Sequence, residues 1–177
     1  NIKDRKLVEG GSTITQQLAK NIYFTQEKRL VRKIAESFMA VQLENELSKE
    51  KIFELYVNTS YFGDGYYCVG DASEGYFDKE PIEMDLYEST LLAGIPNAPS
   101  VYAPTKNPDL ARQRQQQVIS KLVKYNYITE EYADEIYYIQ GNCYFELNYY
   151  EEANYSFDKA ISYNNQNASY YTDKAIV

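Results

Sequence analysis

The sequence predicts an all-α protein, and three observations carry that prediction. Apolar residues recur at three- and four-residue steps along most of the chain. Residues that cap or stop helices bracket those runs, and no stretch alternates apolar and polar residues as a half-buried strand does.

The first helix is expected over 13–21, with Ile14, Leu18 and Ile22 on one stripe at i, i+4 and i+8. A longer helix from about 28 to 47 is expected to turn Leu30, Ile34, Phe38 and Met39 inward. Ser48 can cap a third helix, with Glu50 in its first turn and Ile52, Leu55 and Tyr56 on its apolar face. Residues 61–65, Tyr-Phe-Gly-Asp-Gly, form a turn, because two glycines and an aspartate tolerate positive φ. A shorter helix is expected over 69–77. Asp85 and Glu88 have capping-box spacing ahead of Leu91 and Leu92, and Gly94 with Pro96 closes that helix. The four prolines within 96–108 predict a surface loop. Pro108 then opens a helix running to about 125, and Thr129 is positioned to cap the next one.

At 177 residues, 44% hydrophobic and 25% charged, the chain is long enough for one domain, with or without a small appendage. No apolar run approaches the ~18 residues that span a bilayer. No basic-then-apolar leader opens the chain, so neither anchor nor signal peptide is expected within this stretch. Histidine is absent, which removes His-based triads, His general bases and most zinc sites. Cys68 and Cys143 lie 75 residues apart and form no CxxC pair. The net charge of −8 hides an asymmetry: residues 1–36 hold eight Lys/Arg against four Asp/Glu, while residues 61–177 hold 8 against 18. That points to an anionic ligand or surface at the N-terminal end. Nucleic acid is not the expected partner, because the local excess is small and no aromatic residues interleave with the cations.

Two constellations carry chemistry. In GGSTITQQLAKN (10–21), two glycines precede a helix start, where free N–H groups with the Ser12 and Thr13 hydroxyls suit anionic or sugar oxygens. Gln16 and Lys20 sit one turn apart with Gln17 beside them, offering amides for hydroxyls and a cation for phosphate. Further on, Arg29, Arg32, Lys33 and Glu36 fall at i, i+3, i+4 and i+7, along a face opposite Leu30, Ile34 and Phe38. Glu36 within reach of three cations is suited to orient them, or to help hold a divalent metal beside a diphosphate, rather than to take a proton. Taken alone, the first constellation is better explained as a capped helix with a solvated polar face, and the second as an exposed ion-pair ladder.

The order of the motifs decides between these readings. GGSTITQQLAKN, then RKIAE (32–36), KIFELYVN (51–58), YFGDGYY (61–67) and LLAGIPNAPSVYAPTKNP (91–108) closely resembles the peptidoglycan glycosyltransferase (transglycosylase) domain of penicillin-binding proteins, over about residues 1–135. The resemblance implies a lysozyme-like helical fold at the outer face of the bacterial cytoplasmic membrane. It implies lipid II and the nascent glycan strand as partners, together with the membrane surface in the full-length protein. It also implies the reaction: a sugar 4-hydroxyl attacks C1 of the growing glycan, undecaprenyl diphosphate leaves, and the anomeric configuration inverts. Under the same resemblance Ser12, Thr13, Gln16, Gln17, Lys20, Arg29, Arg32 and Lys33 bind the sugar diphosphate, and Glu36 is the assisting glutamate. Lys51, Glu54 and Asn58 become structural supports, and a divalent cation (Mg or Mn) is expected at the diphosphate.

Two departures accompany the match. The family's principal base is a glutamate upstream of the GGST segment, and only nine residues precede Gly10 here, with Asp4 and Glu9 in what resembles the connecting segment. This stretch alone is therefore expected to be catalytically weak or inactive, a loss of typically ~10²–10⁴ in rate. Cys68, Gly70 and Asp71 stand where the family often has glycine, glutamate and alanine.

A seam is expected near 134, dividing a partial glycosyltransferase domain (1–133) from a second region (134–177). There Tyr137, Gly141, Tyr144, Tyr150, Ala153, Phe157 and Ala160 resemble one tetratricopeptide repeat, with Gly141 facing Ala153 across a helix pair. Gln140 and Asn165 depart from the pattern, which usually has leucine and proline there. A lone repeat does not close its own core, so this one is expected to continue an array or to pack on the preceding domain. The alternative function is a non-catalytic interaction module that docks a protein partner through the repeat.

Overall fold

A computed structural model describes residues 12–24 and 29–177, without the side chains of Arg29 and Leu30. Gly10, Gly11, Asp4, Glu9 and Lys28 lie outside the described residues. Every regular element among the described residues is helical, as the sequence predicts. The chain falls into two compact units, residues 1–72 and 73–177.

The first unit holds α1 (Ile14–Tyr23), α2 (Arg29–Glu46) and α3 (Lys49–Val57). Thr13 caps α1 through a capping box with Gln16, and Ser48 caps α3 by accepting a hydrogen bond from the Lys51 N–H at 3.2 Å. The three helices close on Leu18 and Ala19 of α1, Leu43 of α2 and Ile52 of α3, flanked by Met39, Leu47 and Leu55. Two expected core faces are corrected. Only Leu18 of the first stripe is buried, since Ile14 and Ile22 are 43% and 42% exposed. On α2, Ile34 and Phe38 face outward at 71% and 73% exposure, with Val31 and Val41 beside them. Physically, α2 has two apolar faces. The face carrying Met39, Ala40, Leu43 and Leu47 packs against its neighbours, and it brings Glu36 inward one turn earlier.

After α3 the chain turns through Gly63, Asp64 and Gly65, all at positive φ (86°, 52° and 93°), as that tripeptide predicts. α4 (Val69–Phe77) spans the junction of the units.

The second unit holds α5 (Leu86–Gly94), α6 (Pro99–Tyr102), α7 (Pro108–Lys124), α8 (Glu130–Glu146), α9 (Tyr150–Tyr163) and α10 (Ala168–Lys174). Asp85 and Glu88 form the expected capping box. The expected proline loop over 96–108 is partly helical: a 3₁₀ turn over Ile95–Asn97 leads into it, the four-residue α6 lies within it, and Ala103 is fully buried. Thr129 stands at the start of α8 but its side chain makes no capping hydrogen bond. α8 and α9 pair as a helical hairpin. The ring of Phe157, rather than the Ala153 methyl, lies closest to Gly141, and a Cβ added there would sit 2.6 Å from it.

The hairpin packs on its neighbours through Ile119 of α7, Ala133, Ile136 and Tyr137 of α8, Ala160 of α9 and Tyr170 of α10. Below this lies a chain of buried polar groups. Ser156 Oγ donates to Gln140 Oε1 at 3.2 Å, and Gln140 Nε2 to Gln115 Oε1 at 3.4 Å. Gln115 Nε2 then donates to the Tyr87 carbonyl and to Thr90 Oγ1, at 2.8 and 3.1 Å. Gln140 of α8 thus links α9 to α7.

Candidate functional site

The site assembles where α1 meets α2. Glu36 is 2% exposed, so its charge needs partners. Lys33 Nζ lies 3.2 Å from Glu36 Oε2 and donates to Ser12 Oγ at 2.7 Å, joining the segment before α1 to the face of α2. Arg32 Nε lies 3.0 Å from Glu36 Oε1, close enough for strong attraction. That contact is not aligned as a hydrogen bond, so both atoms are buried without a directed partner among the described residues. No described residue takes up the terminal nitrogens of Arg32. Its guanidinium fork and the remaining N–H groups of Lys33, whose side chain is 56% exposed, are open to an anion.

The amides expected to line the site serve first to hold it. Gln16 closes the Thr13 capping box through its Oε1 and donates from Nε2 to Ser37 Oγ at 3.4 Å. Gln17 Nε2 donates to the Ser12 carbonyl at 3.2 Å, and its Oε1 accepts from the Tyr56 hydroxyl at 3.3 Å. Tyr56 and Ser37 are therefore supports that sequence reasoning missed. Tyr56 was legible only as an apolar-face residue, and Ser37 only as the residue after Glu36. Lys20 is exposed and has no ion-pair partner among the described residues. Arg29 opens α2, and only its backbone is described.

Lys51 and Glu54 pair with each other at 2.8 Å on an exposed face of α3. Such a surface pair contributes roughly 0–1 kcal/mol. Asn58 ends α3, but the turn after it is held by the hydroxyls of Thr59 and Ser60, which donate to the Leu55 and Tyr56 carbonyls at 2.8 and 2.7 Å. Asn21 of α1 donates to the Thr59 carbonyl at 3.1 Å and fixes that turn against α1.

The cationic face borders an apolar hollow of about 590 Å³, lined by Lys33, Ile34, Ser37, Phe38, Val41 and Gln42. A ligand with an anionic group joined to a hydrocarbon chain matches both surfaces. A divalent cation fits the described residues poorly. Both oxygens of Glu36 already face cations, and no three His, Cys, Asp or Glu side chains gather among the described residues.

Comparison with known proteins gives the site its context. A family model described as Transglycosylase matches residues 1–123. The chain is similar to penicillin-binding protein 1A of Aquifex aeolicus, 44% identical over 135 residues, covering 76% of this chain and 19% of that protein. It is 44% identical over 126 residues to penicillin-binding protein 1F of Bacillus subtilis, covering 71% and 18%. To penicillin-binding protein 1A of Neisseria lactamica it is 41% identical over 135 residues, covering 76% and 17%. The chain thus spans about a fifth of the length of these relatives.

Proposed function

The chain belongs to the transglycosylase family, and from that premise we propose that it is the carboxyl-side part of a peptidoglycan glycosyltransferase domain. It binds lipid II and the growing glycan, and in the complete domain polymerises glycan strands with release of undecaprenyl diphosphate. The observation that carries this reading is the buried Glu36 holding Arg32 and Lys33 beside an apolar hollow, with Ser12 brought to the same point.

In this reading the diphosphate sits against Arg32 and Lys33, which stabilise the charge that develops on the departing oxygen as the bond to C1 breaks. Glu36 is a positioning residue: it fixes both cations before the substrate arrives, so less is lost in ordering them. The family resemblance adds Lys20 and Arg29 to the residues expected to bind the diphosphate. The attacking 4-hydroxyl bonds to C1 and gives its proton to a base, and the sugar inverts. In the family pattern that base is the glutamate of the motif upstream of the GGST segment. The exposed Val31, Ile34, Phe38 and Val41 support a location at the outer face of the cytoplasmic membrane, against the lipid that carries the substrate. A divalent cation at the diphosphate would add charge on the substrate side of Arg32 and Lys33, without a protein cluster of its own.

Residues 134–177 form a tetratricopeptide-like repeat in this reading, supported by the hairpin of α8 and α9 and the close contact of Gly141 with Phe157. A glycan-polymerisation assay with labelled lipid II, on the 177-residue chain with and without a supplied upstream segment, tests the proposal. Polymer forms only with the segment present. Robust polymerisation by the chain alone defeats the assignment of the base, and none in either case defeats the enzymatic reading.

A further inference from the structure

We propose that the groove between α7 and α9 binds a short extended peptide whose two ends carry opposite charge. Two adjoining hollows of about 540 and 550 Å³ share Gln113, Gln116 and Tyr155, and so make one groove. α7 and α9 are its walls, and Tyr144 and Tyr137 of α8 lie beneath it. It lies wholly within residues 73–177 and does not depend on the glycosyltransferase reading.

The lining has a direction. At one end Asp109 and Arg112 of α7 meet Glu151 and Glu152 of α9. Arg112 is ion-paired to Asp109 at 2.7 Å through one terminal nitrogen and stacks 4.1 Å from the Tyr144 ring centre, while its buried Nε has no hydrogen-bond partner among the described residues. Glu151 and Glu152 have no cation partner among the described residues. At the other end stand Lys121 and Lys159, with no carboxylate partner among the described residues. Between the ends lie the amides of Gln113 and Gln116, which offer donors and acceptors to a peptide main chain.

Length and rigidity agree with this occupant. From Asp109 to Lys121 α7 rises roughly 18 Å at ~1.5 Å per residue, the span of five or six extended residues at ~3.3 Å each. The buried chain from Ser156 through Gln140 to Gln115 ties the walls to the floor, so little ordering is left for binding. Glu151 and Glu152 repel a polyanion, and the charged groups at both ends do not suit an acyl chain.

The test is fluorescence anisotropy on the 177-residue chain at low salt, with four labelled hexapeptides: Lys-Lys-Ala-Ala-Asp-Asp, Lys-Lys-Ala-Ala-Lys-Lys, Asp-Asp-Ala-Ala-Asp-Asp and an all-alanine control. The dipolar peptide is expected to bind more tightly than the other three, by about tenfold or more. In Lys121→Glu/Lys159→Glu the preference switches to the doubly basic peptide. In Glu151→Lys/Glu152→Lys it switches to Asp-Asp-Ala-Ala-Asp-Asp, which gives an independent readout if the first variant does not fold. Equal affinity for all the peptides, or a dipolar preference that survives charge reversal in a folded chain, overturns the proposal.

Discussion

Glu36 sets the charge geometry of α2, because a carboxylate 2% exposed draws Arg32 and Lys33 toward one point. Replacing it leaves two cations without their counter-charge. A fully buried pair loses roughly 3–5 kcal/mol in that way, and the partial exposure of both cations reduces the effect here. Glu36→Ala is therefore expected to lower stability by roughly 1–3 kcal/mol, measured by denaturant unfolding. Lys33 plays the opposite part. Its side chain is 56% exposed, so Lys33→Ala is expected to cost little stability and to weaken binding of a lipid-linked diphosphate by roughly tenfold or more, the scale of one charge-assisted hydrogen bond. Sequence spacing placed Arg32, Lys33 and Glu36 together correctly, since i, i+1 and i+4 fix a shared face whatever the packing. It could not show that this face points inward. Ile34 and Phe38 offered an equally apolar alternative, and only contact with α1 and α3 selects between the two.

At the scale of elements, boundaries were the most legible feature, because local chemistry sets them. Ser48, Asp85 and Pro108 begin α3, α5 and α7 as their side chains predict. Asp85→Ala removes the acceptor of a 2.8 Å hydrogen bond from the Glu88 N–H and is expected to destabilise the second unit by about 1 kcal/mol in thermal unfolding. Packing partners were less legible. Gly141 has a small-residue role, yet the group it admits is the Phe157 ring. Gly141→Ala gains up to ~1 kcal/mol of helix propensity and incurs ~1–3 kcal/mol of overpacking, because a ring 1% exposed has little room to move. A net loss of roughly 1 kcal/mol is expected, seen as a lower Tm. Gln140 could be recognised only as a departure from a leucine position, since its partners Gln115 and Ser156 lie 25 and 16 residues away.

At the scale of the whole molecule, burial of tyrosine makes the second unit sensitive to alkali. Burial pushes the Tyr137 hydroxyl from its ordinary 10 up to about 12, and burial also raises Tyr144 against the opposing charge of Arg112. The unfolded chain therefore releases these protons at lower pH than the folded one. The stabilisation is complete below about pH 10 and is lost as pH rises from there through about 12, which pH-dependent unfolding of the chain checks. The proposed function rests on a different region, the cationic face of α2 beside its apolar hollow. Isothermal titration of undecaprenyl diphosphate into the 177-residue chain, compared with Arg32→Ala/Lys33→Ala, is its most direct test. Saturable binding that the double variant weakens by roughly a hundredfold is the predicted result, at about tenfold per cation. Equal binding to both proteins, with the variant folded, contradicts it.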